Sequence, residues 1–333
     1  MASDAVLGFD CEWFDEISNQ LHVLYLKFFL SDGTIELLGT QRALLKRIYY
    51  PSVKAADLFV GNSITVYNRV ITIMAYANEG TTRYMSEREI HVCCAVHESA
   101  SQSLGSIITM ALSCKLNVGK IRTISFDCPD ISGVKGDFVI ELVGYSGKES
   151  VEPFMKVVSK YGDGVSCTEI PAKDMITFFR GKFPVEVNDD EPATLCLIKP
   201  HVLKAGKTGD ILDSIVKSGY VIKAVHSAHM TNTIAEEIFD AYREIYPKYT
   251  AMIEQLTESP CLAVMLTHDS YDLVETFREL TGPLNPELAV TLRPNSLRAL
   301  YGSSYVQNAV HCTDLVEDAH MECRYFFETL AGL

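Results

Sequence analysis

Basic residues are scarce for the acids present: 29 Lys and Arg stand against 43 Asp and Glu, a formal net charge of −14. No Lys/Arg block offsets that balance. It argues against a nucleic-acid partner and leaves any polyphosphate to be held by a few local cations. Nowhere do roughly 18 apolar residues run together, the length of a bilayer-spanning helix. The stretch MASDAVLGFDCEWFDE carries acids where a secretory leader would carry positive charge. A soluble, intracellular chain with no membrane partner is therefore expected. The ten cysteines, at 11, 93, 94, 114, 128, 167, 196, 261, 312 and 323, show none of the paired spacings of a zinc site. Several lie in apolar runs, so buried free thiols in a reducing compartment account for them, and no metal ligand set is expected. A complete P-loop is missing as well. AGKTGD (205–210) matches only its tail, and the glycine needed five residues before Gly206 is His201.

What is present is a folded composition, 47% hydrophobic over 333 residues, long enough for two or three domains of roughly 100 to 150 residues. Residues 1–88 read as short strands (HVLYLKFFL, TIELL, LFVG, SITVYN, VITIMAY) divided by Gly, Asn and Asp, a mostly β domain. From HVCCAV the rhythm becomes α/β and marks a second domain, 89–184. FPVEVNDDEPA is acidic, carries Pro184 and Pro192 and has no helical period, so it is a linker. A third domain, 193–333, opens at TLCLIK. Its elements read as a strand over 194–199, a helix over about 208–218 ended by Gly219, a strand over 220–229 and a helix starting at Thr233, where Glu236 completes a capping box. Then come strand CLAVMLT, helix SYDLVETFREL and the last helix, DLVEDAHMECRYFFETL. HVCCAV with SLGSIITMALSCKLNVGKIRTISF resembles TLCLIK with KTGDILDSIVKSGYVIKAVHSAHM, so the second and third domains look like two copies of one βαββαβ unit.

LCLIKPH, FRELTGPLNP, RPNSLRALYG and QNAVHCTD, in that order over about residues 193–330, resemble the successive motifs of the nucleoside diphosphate kinases. The resemblance implies His311 as the phosphate-accepting nucleophile, with Thr313 and Glu322 flanking it. It implies Lys199, Arg278, Arg298 and Asn308 as nucleotide contacts, and Phe239 and Tyr249 as aromatics near the base. The residue types suit that chemistry. An unprotonated imidazole can attack phosphorus and pass the group on, and phosphoryl transfer is catalysed mostly by positioning and charge. Lysine gives a point charge and arginine a forked donor for phosphate oxygens. Mg2+ would arrive on the phosphates of ATP or another nucleoside triphosphate, with few protein ligands. One departure is Leu284 in GPLNP, where the family commonly has threonine. A lost hydrogen bond to a charged group costs roughly 1.5–3 kcal/mol. The middle copy is expected to be degenerate, with Val96 or His97 at the lysine position, Met175 near the place of Arg298, and the linker arriving before any counterpart of QNAVHCTD.

EWFD, LKFFLSDGTIEL, LLKR, YYPS and DLFVGNSITVYNRVITIMAYAN resemble the DM-ten domain, a pleckstrin-homology-like module of ciliary proteins. The implied fold class is α+β: one mostly β, pleckstrin-homology-like domain followed by two ferredoxin-like βαββαβ kinase-type domains, the first degenerate. That layout resembles an axonemal branch of the family. It implies a place in the cytoplasm and cytoskeleton, in the cilium or flagellum axoneme, with tubulin and other doublet microtubule proteins as partners beside nucleoside di- and triphosphates. Two functions fit: a nucleoside diphosphate kinase working through phospho-His311, or a structural microtubule protein with an idle nucleotide pocket.

Overall fold

The computed structural model describes residues 5–15, 18, 20–40, 43–124, 136–144, 148–179, 185–269 and 272–332. In the first part, apolar side chains alternate with polar ones through β1 (Val6–Asp15), β2 (Gln20–Phe29), β3 (Thr34–Gly39), β4 (Ala43–Tyr49), β5 (Ser63–Val66) and β6 (Arg69–Tyr76). The alternation buries Leu24, Leu26 and Phe28 along one face of β2. An antiparallel six-stranded sheet results, in the order β4-β3-β2-β1-β6-β5. Tyr67 and Asn68, at φ 47° and 61°, form the two-residue turn between β5 and β6, whose backbone hand suits the strand twist. A reading of strands alone misses α1 (Glu79–Ser86), which starts where the Asn78 side chain accepts a hydrogen bond from Thr81 N.

Thereafter the elements are β7 (Ile90–Val96), α2 (Leu104–Ser113), β8 (Leu116–Thr123), β9 (Phe138–Gly144), α3 (Lys148–Val158), β10 (Val165–Glu169), α4 (Ala172–Phe179), β11 (Thr194–Ile198), α5 (Pro200–Lys204), α6 (Thr208–Lys217), β12 (Val221–Ala228), α7 (Asn232–Ile238), α8 (Tyr249–Thr257), β13 (Cys261–Thr267), α9 (Leu273–Thr281), α10 (Pro286–Leu292), α11 (Leu297–Tyr301), β14 (Val310–Cys312) and α12 (Ala319–Arg324). The cap of α7 is Thr231, whose hydroxyl accepts from Ile234 N, so the helix begins two residues before the expected Thr233. FPVEVNDDEPA, read as a linker, runs along the end of the chain: Val185 N donates to Phe327 O, Val187 N to Glu328 Oε1, and Val187 is buried.

All eight later strands form one antiparallel sheet, β10-β7-β9-β8-β12-β13-β11-β14. Read from either outer edge to the middle, each half places its fourth, first, third and second strand. The halves meet at β8 and β12, where Ile121 N donates to Ser227 Oγ and Val225 N to Thr123 Oγ1 at 2.8 and 2.7 Å. Across one face α2 lies on α6, and their backbones touch because Gly105 and Gly209 have no side chains. A Cβ on Gly105 would come within 2.5 Å of Gly209 O, and one on Gly209 would run into Gly105 O and Thr109 Oγ1. Ser106 Oγ donates to Asp213 Oδ2 beside this contact, at 2.8 Å.

Contrary to the sequence expectation, the middle half does contain a counterpart of the QNAVHCTD strand. The bond from His97 N to Gly164 O ends the β7–β10 ladder as the bond from Lys199 N to Ala309 O ends the β11–β14 ladder. Aligned on those bonds, VSCTE (165–169) lies where VHCTD (310–314) lies, with Ser166 in the place of His311 and His97 in that of Lys199. Met175 likewise follows β10 on α4, whereas Arg298 precedes β14, so the two do not correspond. Met175 and Phe178 instead pack on Cys93, Ala95 and Val139.

Gly209→Ala gains helix propensity yet forces backbone apart at the α2–α6 contact. Its unfolding midpoint in urea is expected to fall, by about 1–3 kcal/mol, the usual range for overpacking. A higher midpoint would mean that α2 and α6 can separate without loss.

Candidate active site

The later half of the sheet builds its site on the short edge strand β14. In the pairing of Leu197 with His311, residues alternate faces, so His311 and Thr313 point to one side of the sheet and Cys312 to the other. His311 is 7% exposed. Its Nε2 stands 3.5 Å from Glu322 Oε1, facing it without a hydrogen bond, while Thr313 Oγ1 donates to Glu322 Oε2 at 2.6 Å. Leu195 N in turn donates to Thr313 Oγ1. Burial alone would raise the Glu322 carboxyl, but the His311 ring and the Thr313 hydroxyl outweigh it and hold it below its usual range. With Nε2 turned to the carboxylate, Nδ1 is the nitrogen left for chemistry.

Ala309, just before β14, has φ 71°, and Val310 N bonds Asn308 O at 2.9 Å. This is a γ-turn of the rare, strained kind, here at a residue with a Cβ. It keeps Asn308 at the cleft, 2% exposed. The Asn308 Nδ2 donates to Leu284 O at 3.2 Å, and its Oδ1 has no partner among the described residues. Sequence reasoning had no signal for this turn, since alanine does not advertise positive φ.

The expected cations divide. Lys199 follows β11 at the cap of α5 and is 2% exposed, with Nζ on Val306 O at 3.2 Å. Burial first, then Arg298, pushes its ammonium down to about 7. Arg298, buried on α11, spends its guanidinium on backbone: Nε and Nη2 on Val310 O, both 3.2 Å, and Nη1 on Gly282 O at 2.6 Å. It therefore braces the strand that carries His311 as well as lining the cleft. Arg278 does not line the deep cleft. It lies half exposed on α9, with Nη1 on Asp314 O at 2.8 Å.

Ten residues line the cleft around His311, among them Lys199, Phe239, Asn308, Arg298 and Leu284. Phe239 meets the His311 ring edge-on, centroids 4.9 Å apart. Tyr249 is not in this wall. It opens α8, with Arg243 5.2 Å over its ring. Tyr242 and Tyr246, which the sequence reading missed, are in the wall instead. The Tyr242 hydroxyl donates to Asp314, and burial together with that carboxylate raises it well above the usual phenol range, so it stays a neutral donor. The enclosed space is about 10 Å³, room for one water.

The site thus sets a strand-borne histidine against a carboxylate, with Lys199 and Arg298 in the same cleft wall. Residues 192–331 match the family model described as nucleoside diphosphate kinase. The chain is 33% identical to a nucleoside diphosphate kinase of Aquifex aeolicus, over 41% of this chain and 94% of that one. It belongs to the nucleoside diphosphate kinase family. Over nearly its whole length, 97% of this chain and 93% of the relative, it is 28% identical to nucleoside diphosphate kinase homolog 7 of Mus musculus. Among solved structures it is similar to a crystal form of the Aquifex aeolicus enzyme, with TM-score 0.39 and 32% identity over 42% of this chain and 98% of that one.

The depressed Lys199 makes stability depend on pH in a stated direction. Between about 7 and the ordinary 10.5 the unfolded chain holds a proton that the folded one lacks, so stability rises with pH through that window. Below it both states are protonated and the whole penalty is present. The unfolding free energy is expected to gain about 2 kcal/mol from this group between pH 7 and 9, and Lys199→Met should remove that gain in urea melts. An unchanged pH slope in the variant would show that Lys199 keeps its proton when folded.

Proposed function

We propose that this protein transfers the terminal phosphoryl group of a nucleoside triphosphate to a nucleoside diphosphate through phospho-His311. The observation that carries this is the orientation of His311, with Nε2 toward Glu322 Oε1, in a cleft that Lys199 and Asn308 also line. The Nδ1 lone pair attacks the terminal phosphorus, the phosphorus–oxygen bond to the diphosphate breaks, and the diphosphate leaves. Glu322 offsets the positive charge that the ring acquires, and Thr313 fixes that carboxylate. Lys199 takes up a proton when phosphate charge approaches, and the unpartnered Asn308 Oδ1 suits a ribose hydroxyl. Arg278, at the rim, would exchange Asp314 O for phosphate oxygen. Mg2+ would be held mainly by the polyphosphate, whose charge it would offset, since Glu322 and Asp314 are engaged with Thr313 and Tyr242. A second diphosphate then takes the phosphoryl group by the reverse path.

The two-unit ferredoxin-like reading of the eight-stranded sheet, with the middle half as a degenerate scaffold, belongs to this proposal, as do the domain limits 1–88, 89–184 and 193–333. The structural reading, an idle pocket in a microtubule protein, has one specific observation in its favour. Leu284 stands in the cleft wall where a hydroxyl donor would serve a phosphate, beside a space for one water. The DM-ten likeness adds an axonemal place with tubulin contacts made by residues 1–184.

Incubation with γ-labelled ATP is expected to give acid-labile, alkali-stable label, lost in His311→Ala; label that survives there moves the nucleophile elsewhere. Leu284→Thr should raise the transfer rate about tenfold or more if the new hydroxyl bonds phosphate, and an unchanged rate in a folded variant points to the idle-pocket reading. On isolated axonemes the protein is expected to resist detergent and moderate salt, which screens surface charge. Release with the soluble fraction would remove the doublet from the proposal.

A further inference from the structure

Two cysteine pairs sit at corresponding places in the two halves of the eight-stranded sheet. Cys94 of β7 faces Cys167 of β10, and Cys196 of β11 faces Cys312 of β14. The bonds at the ladder ends decide which kind of pair they are. His97 N bonds Gly164 O and Ile170 N bonds His91 O, so positions 91 and 97 are hydrogen-bonded pairs, and by alternation Cys94–Cys167 is a narrow, non-hydrogen-bonded one. The bonds from Lys199 N to Ala309 O and from Thr313 N to Leu195 O place Cys196–Cys312 in the same class. Narrow pairs hold their Cα atoms about 4.5 Å apart with side chains close on one face. That lies within the roughly 4.4–6.8 Å that a disulfide spans. Neither pair needs the backbone to move to be joined.

Access separates the two. Cys196 and Cys312 are 0% and 1% exposed, deep in the core shared by α6 and α9, and burial pushes both thiols up. Cys167 is only partly buried, on β10, the outermost strand of the sheet. Cys94 behind it is sealed, and the two side chains share one face of the sheet. One pair therefore joins a partly exposed residue to a sealed one, while both members of its twin are sealed.

We propose that Cys94 and Cys167 are a reversible oxidation site, in which Cys167 meets a hydroperoxide and Cys94 resolves the product into a cross-strand disulfide. The Cys167 thiolate attacks the terminal peroxide oxygen. The sulfur–oxygen bond forms, the oxygen–oxygen bond breaks, and the departing alkoxide or hydroxide takes a proton. Cys94 Sγ then attacks Cys167 Sγ, the sulfur–sulfur bond forms, and the hydroxyl leaves with the Cys94 proton as water. Two thiols and one hydroperoxide thus give a disulfide, an alcohol (water when the oxidant is hydrogen peroxide) and a further water. A dithiol reductant restores the pair. The product fastens the outermost strand β10 to β7.

The test is hydrogen peroxide on the folded full-length chain, then alkylation in denaturant and peptide mapping without reduction. One crosslinked peptide pair, Cys94–Cys167, is expected, with Cys196 and Cys312 recovered alkylated, and dithiothreitol should return the two free thiols. In Cys94→Ser the crosslink disappears and Cys167 should accumulate as a sulfenic acid that dimedone traps. The proposal is overturned if Cys94 and Cys167 stay alkylated in full, if Cys196–Cys312 crosslinks as readily, or if Cys167 pairs with Cys114 instead. Absence of the dimedone adduct in folded Cys94→Ser would overturn the assignment of Cys167 as the reacting thiol.

Discussion

The three-residue pairing of β14 with β11 is the constraint on which the site depends. Its register, Cys196 with Cys312, Leu197 with His311 and Ile198 with Val310, leaves no freedom about which side chains face the cleft. A slip of one residue would turn His311 into the core beneath α9 and bring Cys312 to the surface of the cleft. Three ladder positions are few, so the strand is held by other means. Arg298 binds Val310 O from below, Leu195 N binds Thr313 Oγ1 above, and the strained turn at Ala309 sets the entry angle. Much of what the family resemblance assigns to nucleotide contact is thus first of all engaged in keeping the strand in place.

The half of the sheet that ends on β10 obeys the same constraint. VSCTE keeps the strand, the register and the inward cysteine of VHCTD, but serine replaces histidine and no arginine-bearing excursion precedes the strand. What remains conserved in form is packing: the α2–α6 contact through Gly105 and Gly209 and the hydroxyl bonds that stitch β8 to β12. The first sheet adds to this body rather than standing apart. Thr65 Oγ1 donates to Thr257 O and sits 3.0 Å from His229 Nε2, and Lys120 Nζ reaches Gly61 O. A hydroxyl has one proton to give, so His229 must donate through Nε2 to Thr65. Burial, Lys120 and Lys204 keep that imidazole neutral, down to about 3.

Two properties of the cleft pull in opposite directions. Buried Lys199 and Arg298 bring positive charge to it and Asn308 an unpartnered acceptor, as the proposed polyphosphate and sugar would require. Leu284 and the two tyrosines of the 242–246 segment narrow the space in which it could sit. Tyr242 is tied to Asp314, and so is Arg278, so the rim on one side of His311 is knotted through a single acidic residue.

Sequence by itself determined the family and the elements whose patterns are long or strongly marked. These are the strand expected over 194–199 and found over 194–198, the strand CLAVMLT, and the helix expected over about 208–218 and found over 208–217. Motif order also grouped His311, Thr313, Glu322, Lys199, Asn308 and Arg298, which the fold brings near one another. Those are legible because apolar periodicity and fixed spacing survive in one dimension. Tertiary structure decided what depends on approach between distant segments: Tyr242 and Tyr246 in the cleft wall while Tyr249 stands outside it, Arg298 turned to backbone, Arg278 at the rim, and VSCTE as the twin of VHCTD. The cap at Thr231 and the positive φ of Ala309 were also hidden, because the residues that flank them locally would have allowed another choice. Register is the physical reason for the division. Composition announces that a strand exists, but only its hydrogen-bonded neighbour fixes which of its side chains meet, as Cys94 meets Cys167 and Leu197 meets His311.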